Sequence, residues 1–252
     1  MTSSGCNVKQ AINDADTLIV DTAVKAASDK SVTVVATDTD VFIMLPYHMP
    51  KCVHDARMQS ETASSHRHQV TITSIRRVYN YLGGTVVKQL LFIHALSGCD
   101  TTSSMFGLGK ATSYKKITRR GELASQINVF GNLEASHSQI IEAGMPVLAM
   151  LYGGNLTDSL DHLRYVQYLN LLATSSVRLR PERLPPTANA ASCHLYRVHC
   201  QVAQWKSLST SAVDPLMWGW YKQSDEFWPI TTDLEAAPDD LRRIVKGSCK
   251  AN

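Results

Sequence analysis

The run Val32-Thr33-Val34-Val35-Ala36 constrains this chain most. It is apolar and β-branched without alternation, the pattern of a parallel strand buried on both faces. Thr37-Asp38-Thr39-Asp40 follows at once, and then the apolar Val41-Phe42-Ile43-Met44-Leu45, which opens a helix or a second short apolar segment. Two carboxylates therefore stand at the carboxyl end of a strand. Open α/β sheets gather their ligands at that place. An α/β architecture follows, a parallel sheet flanked by helices.

The rest of the N-terminal half fits such a layout. Residues 9–28 carry apolar side chains at helical spacing, and Asp29-Lys30 makes the turn. Residues 46–69, with Pro46, Pro50 and a polar tract from Gln59 to Ser65, read as a surface excursion. Val70 to Thr73 is a short strand, and Ser74 caps a helix that runs to Leu82 and closes at Gly83-Gly84. Residues 85–96 read as a buried helix leading into a turn at Gly98.

Beyond Lys110 the character changes. Segments 113–128, 136–152, 158–174 and 188–206 all show helical periodicity. The tail holds Trp218, Trp220 and Trp228 among prolines, and reads as an irregular wrap packed by its indoles. We divide the chain into an α/β region, 1–125, and a mostly helical region, 126–252.

Composition narrows the setting. No apolar run approaches the ~20 residues of a membrane span, and Met1 to Cys6 lacks the pattern of a secretory leader. Six cysteines without a CxxC do not form a disulfide framework. A soluble intracellular protein is expected, with nucleus and cytoplasm equally open. The formal charge of +3 neither demands nor excludes nucleic acid.

Five acids carry the chemistry: Asp14 and Asp16 near the first helix, Asp38 and Asp40 after the strand, and Asp100 at a glycine turn. In a βαβ-like layout these places meet at one sheet edge. Like charges ~4 Å apart repel by about 4 kcal/mol at an effective dielectric near 20, so a shared pocket needs cations. Oxygen-only donors favour Mg²⁺ or Mn²⁺. Taken singly, Asp14, Asp38 and Asp40 also suit the plainer role of helix N-cap.

Three further groups stand out. Gly107-Leu108-Gly109-Lys110 is a glycine turn whose backbone and lysine suit a phosphate, or is simply a turn. Lys110, Lys115, Lys116, Arg119 and Arg120 form a basic patch, which tracks a nucleic-acid backbone or is a solvated helix face. Cys193, His194, His199 and Cys200 fall on one helix, and core packing explains the cysteines better than zinc does. Cys52, His54, His66 and His68 read as loop residues.

The order Asp14-Ala15-Asp16-Thr17, Ala36-Thr37-Asp38-Thr39-Asp40-Val41, then His94-Ala95-Leu96-Ser97-Gly98-Cys99-Asp100-Thr101-Thr102 to Lys110 resembles the internal region of the flap-endonuclease/XPG nucleases, within the PIN-like superfamily. More closely, it is similar to a lineage-expanded group of uncharacterised animal proteins sharing these motifs. Their likeness continues through Leu184-Pro185-Pro186-Thr187, Trp218-Gly219-Trp220 and Pro229 to Leu241.

The resemblance implies a Mg²⁺- or Mn²⁺-dependent phosphodiesterase acting on structured DNA or RNA. It makes Asp14, Asp16, Asp38, Asp40 and Asp100 catalytic, and Asp16, Asp38, Asp40 and Asp100 the metal ligands. It assigns Gly107, Gly109 and Lys110 to a helical hairpin that grips the duplex backbone. It also implies upstream strands with further acids and a cysteine-rich tail, neither present in this sequence, so truncation at both ends and weak or absent cleavage are expected. The alternative is a non-catalytic module that binds nucleic acid or protein.

Overall fold

The computed structural model describes residues 5–11, 14–64, 67–174, 180–208 and 212–232. The first helix, α1 (Ala15–Ala26), is shorter than the span 9–28 because Asp14 closes its N-terminus. The Asp14 carboxylate accepts from the backbone N–H groups of Asp16 and Thr17. Strand β1 (Val32–Val35) follows, then α2 (Thr39–His48), capped by Asp38.

The next two strands correct the expectation for residues 46–69. After a short 3-10 turn at Met49–Lys51, the segment enters β2 (Ala56–Ser64), the central strand of the sheet. Strand β3 (Arg67–Ser74) returns beside it. The β1–β2 pair is parallel and the β2–β3 pair antiparallel, so the sheet is small and mixed rather than parallel. The pairing with β1 ends at Gln59, and beyond it β2 pairs with β3 alone. Residues 60–64 of the polar tract lie on that part of β2.

Strand β1 is also less buried than its composition implies. Only Val34 is buried, while Val35 is 68% exposed. Its burial alternates, so one face meets α1 and the core while the other stays open; among the described strands it is also an edge, paired with β2 alone.

Helix α3 (Ile75–Ser97) joins the two expected helices through a break at Gly83, whose φ of 79° and ψ of 152° are outside helical geometry. Its start is anchored by Asp55, which accepts from the Ser74 hydroxyl and the Arg76 N–H. Its second half, Leu91 to Leu96, is buried and packs against α2, α4 (Lys110–Thr118), α5 (Ala124–Val129) and α8 (Ala188–Ser207). Helix α6 (His137–Leu151) packs on α8, and α7 (Leu160–Thr174) lies outside α6. One apolar cluster runs from Val20 on α1 to Trp205 and Trp218, through both halves of the chain.

Buried imidazoles tie these helices together. His48 of α2 bonds the Trp205 carbonyl, His194 the Leu96 carbonyl and His199 the Phe130 carbonyl. The Cys/His group on α8 is therefore core, with all four residues buried. Cys52 is also buried; His66 and the His68 side chain lie outside what is described. The tail corrects another expectation. Trp218 packs inward, but β4 (Trp220–Gln223) and β5 (Glu226–Pro229) form a regular hairpin that leaves Trp228 exposed. No helix among the described residues is long and apolar enough to cross a membrane.

Candidate metal centre

The two Asp-x-Asp motifs fold in the same way. In each, the first aspartate caps a helix and its Oδ1 accepts from the N–H of the second, at 3.0 Å for Asp14–Asp16 and 2.8 Å for Asp38–Asp40. The second aspartate then sits in the first helical turn, where the positive end of the helix dipole favours a carboxylate. Helices α1 and α2 pack together, and this brings the motifs side by side.

The result is a cluster. Ligand oxygens of Asp16, Asp38 and Asp40 all lie within 4.8 Å of one another. Among the described residues no other group of His, Cys, Asp or Glu meets that geometry. Asp14 commits its oxygens to the α1 cap at 3.0 and 3.4 Å. It acts on the cluster through its charge.

The electrostatics agree with the geometry. Burial, then the charges of Asp14, Asp38, Asp40 and Asp100, push the Asp16 carboxyl up to about 6. Asp100 is thus close enough for its charge to be felt at Asp16, although it stands exposed at a loop tip. Repelled carboxylates crowded at one spot fit a hard divalent cation, which takes oxygen donors and cancels the repulsion.

Asp40 has a partner outside the expected set of site residues, His94. The His94 ring N–H donates to Asp40 Oδ1 at 2.6 Å. Asp40 is 13% exposed and His94 is buried. A carboxylate can only accept, so Nε2 carries the proton. His94 comes from the last turns of α3, with its ring 5.8 Å from that of Trp205. Its signal was its place six residues before Asp100 in the same motif.

The rest of that motif builds the loop. Gly98 takes a φ of 112°, and a side chain there would meet the Ser104 backbone at 2.7 Å. Thr102 Oγ1 donates to the Ala95 carbonyl at 2.6 Å, and Thr101 Oγ1 donates to Gln201 on α8 at 2.6 Å. These bonds hold the loop just after Asp100, which is itself exposed.

The expected backbone-binding residues follow the same loop. Gly107 has a φ of 73°, and Gly109 is the N-cap of α4 without a side-chain hydrogen bond to the first turn. Lys110, Lys115 and Arg119 are exposed. Lys116 instead donates to the Leu151 carbonyl, and Arg120 pairs with Glu122 at 3.6 Å. The patch is thus three outward cations, with two that have partners within the protein.

No family model, curated protein or solved structure matches the chain.

Proposed function

We propose that this chain is a nuclease-like domain of the PIN type that holds Mg²⁺ or Mn²⁺ and engages structured DNA or RNA. The observation that carries this reading is the convergence of Asp16, Asp38 and Asp40 oxygens within 4.8 Å. A bound cation of this class supplies charge to a phosphoryl oxygen and makes water a better nucleophile at neutral pH. Asp16, Asp38 and Asp40 would hold it, with Asp100 at the rim.

The chain's own groups prepare that site. His94 fixes the rotation of the Asp40 carboxylate by holding Oδ1. The Asp38 carboxylate is oriented by the Asp40 N–H. The bare first turn of α4 and Lys110 offer N–H groups and a cation to a backbone phosphate. The four acids Asp16, Asp38, Asp40 and Asp100 suit one cation better than a two-cation clamp, so slow cleavage is the expected behaviour.

A non-catalytic binding module is the second reading. It is favoured by the cap role of Asp14, which leaves the cluster one carboxylate poorer. The test joins thermal melting with and without Mn²⁺ to a gel assay on branched and duplex substrates. Metal-induced stabilisation with cleavage lost in Asp40→Asn supports the enzyme. Stabilisation and binding without cleavage support the module. Absence of any metal effect removes both the cation and the nuclease reading.

A further inference from the structure

A cleft of about 160 Å³ opens between α8 and the β4–β5 hairpin, one residue from Asp100. Its lining includes Thr101, Arg197, Gln201, Trp220 and Phe227. The hairpin register, Trp220 opposite Pro229 and Lys222 opposite Phe227, puts Trp220 and Phe227 on one face. That face turns to α8, and the cleft therefore has two aromatic walls.

Two polar side chains, Gln201 and Arg197, are set into a lining that is otherwise mostly apolar. Gln201 is 7% exposed, and its Oε1 accepts from Thr101 while its amide N–H₂ has no partner among the described residues. Arg197 is 3% exposed; its Nη1 donates to the Gly219 and Ile230 carbonyls, and its Nε–H has no acceptor. Residues 197 and 201 are four apart on α8 and so share a helix face. A partner-free amide donor at Gln201, beneath two aromatic rings, suits a flat ligand that carries a carbonyl oxygen at its edge.

We propose that this cleft is a base-binding subsite that takes one pyrimidine of a single-stranded nucleic acid. The inference rests on the nuclease-like reading and names the strand that the acid site would meet. The volume suits a single six-membered ring, since a cavity of about 150 Å³ accommodates benzene. A purine, with its second ring, exceeds it. A pyrimidine carbonyl supplies the acceptor that the Gln201 amide lacks, and the rings of Trp220 and Phe227 supply stacking. The Thr101–Gln201 bond couples the cleft to the loop that carries Asp100, which places the neighbouring phosphate on the side of the acids.

The experiment is fluorescence anisotropy on the full chain in Ca²⁺, with labelled ten-residue oligothymidylate, oligoadenylate and an abasic strand of equal charge. Two variants accompany it. Gln201→Glu keeps the acceptor for Thr101 and replaces the donor with a second acceptor; Phe227→Ala removes an exposed wall. Oligothymidylate should bind about tenfold more tightly than the abasic strand, the scale of one stacked base, and more tightly than oligoadenylate. Gln201→Glu should erase that preference, and Phe227→Ala, at a half-exposed position, should weaken it without lowering the melting temperature.

Equal binding of thymidylate and abasic strands, with duplex binding intact, would overturn the subsite and leave the nuclease-like reading standing. A preference retained in both variants would also overturn it. Absence of binding to any of these strands and to duplex at low salt would overturn both.

Discussion

At the scale of residues, the site depends on aspartates that do double work. Asp38 caps α2 and also lends an oxygen to the cluster, so Asp38→Asn keeps an N-cap while removing charge. Asp38→Asn combined with Asp40→Asn is therefore expected to abolish stabilisation by Mn²⁺ with little cost to the metal-free fold. In the parent chain, a cation at 100 times its dissociation constant adds about 2.7 kcal/mol, read as a rise in melting temperature. An equal rise in the double variant would place the ions elsewhere. His94→Gln tests the orienting bond. Groups that orient metal ligands are worth roughly 10–100-fold in affinity, so titration calorimetry should show Mn²⁺ binding weakened by at least tenfold. Unchanged affinity would reduce His94 to a packing residue. The acids were legible because Asp-x-Asp repeats within a local motif. The His94–Asp40 bond joins residues 54 apart, and no periodicity in the chain announces it.

At the scale of elements, what was legible was what pattern alone decides. Helices α6, α7 and α8 lie where apolar periodicity put them, and the Gly83 break lies where the glycine pair stood. Strand β2 was not legible because its outer half is polar and is held by the backbone ladder to β3 alone. The buried histidines of α8 belong to the same lesson: their role depends on carbonyls of distant elements. They also set an acid limit. Burial outweighs their carbonyl bonds and pushes His194 and His199 down to about 4; Arg197 beside the first, and His137 and Lys206 beside the second, add to the effect. A histidine depressed in the fold binds its proton more readily when unfolded. Its contribution is complete above pH 6.5 and is lost as pH falls through about 4, up to roughly 3 kcal/mol each. Asp16 works in the opposite sense, because a carboxyl raised to about 6 is relieved by protonation. Urea midpoints should therefore fall from pH 7 to pH 4.5, and fall more steeply in Asp16→Asn. A flat profile in that variant would show that the imidazoles reach solvent.

At the scale of the whole molecule, the acid cluster and the outward basic residues of α4 are joined by a single stretch of chain. Helix α3 presents His94 to Asp40, the loop after it carries Asp100, and α4 begins at Lys110. On the proposed function, an anionic polymer held by α4 would lie one loop along the chain from these carboxylates, and a divalent cation would reconcile the two. This separation makes the electrostatics testable. Phosphate contacts give affinity that falls linearly with the logarithm of salt concentration, with a slope near 0.9 per neutralised phosphate on duplex DNA. Lys110, Lys115 and Arg119 are exposed, whereas Lys116 tethers α4 to the end of α6 through the Leu151 carbonyl. Lys110→Ala and Lys115→Ala should each weaken duplex binding without sequence preference and reduce the salt slope by about one. Lys116→Ala should instead lower the melting temperature and leave the slope close to that of the parent chain. The measurement is a binding titration of labelled duplex at two or more salt concentrations in Mg²⁺, with melting curves on the same preparations. If Lys116→Ala changed the slope as much as Lys110→Ala, the tether would open on binding and Lys116 would join the outward basic residues facing the strand. If none of the three changed it, α4 would not be the surface that meets nucleic acid, and the acids would have to receive their substrate from another side.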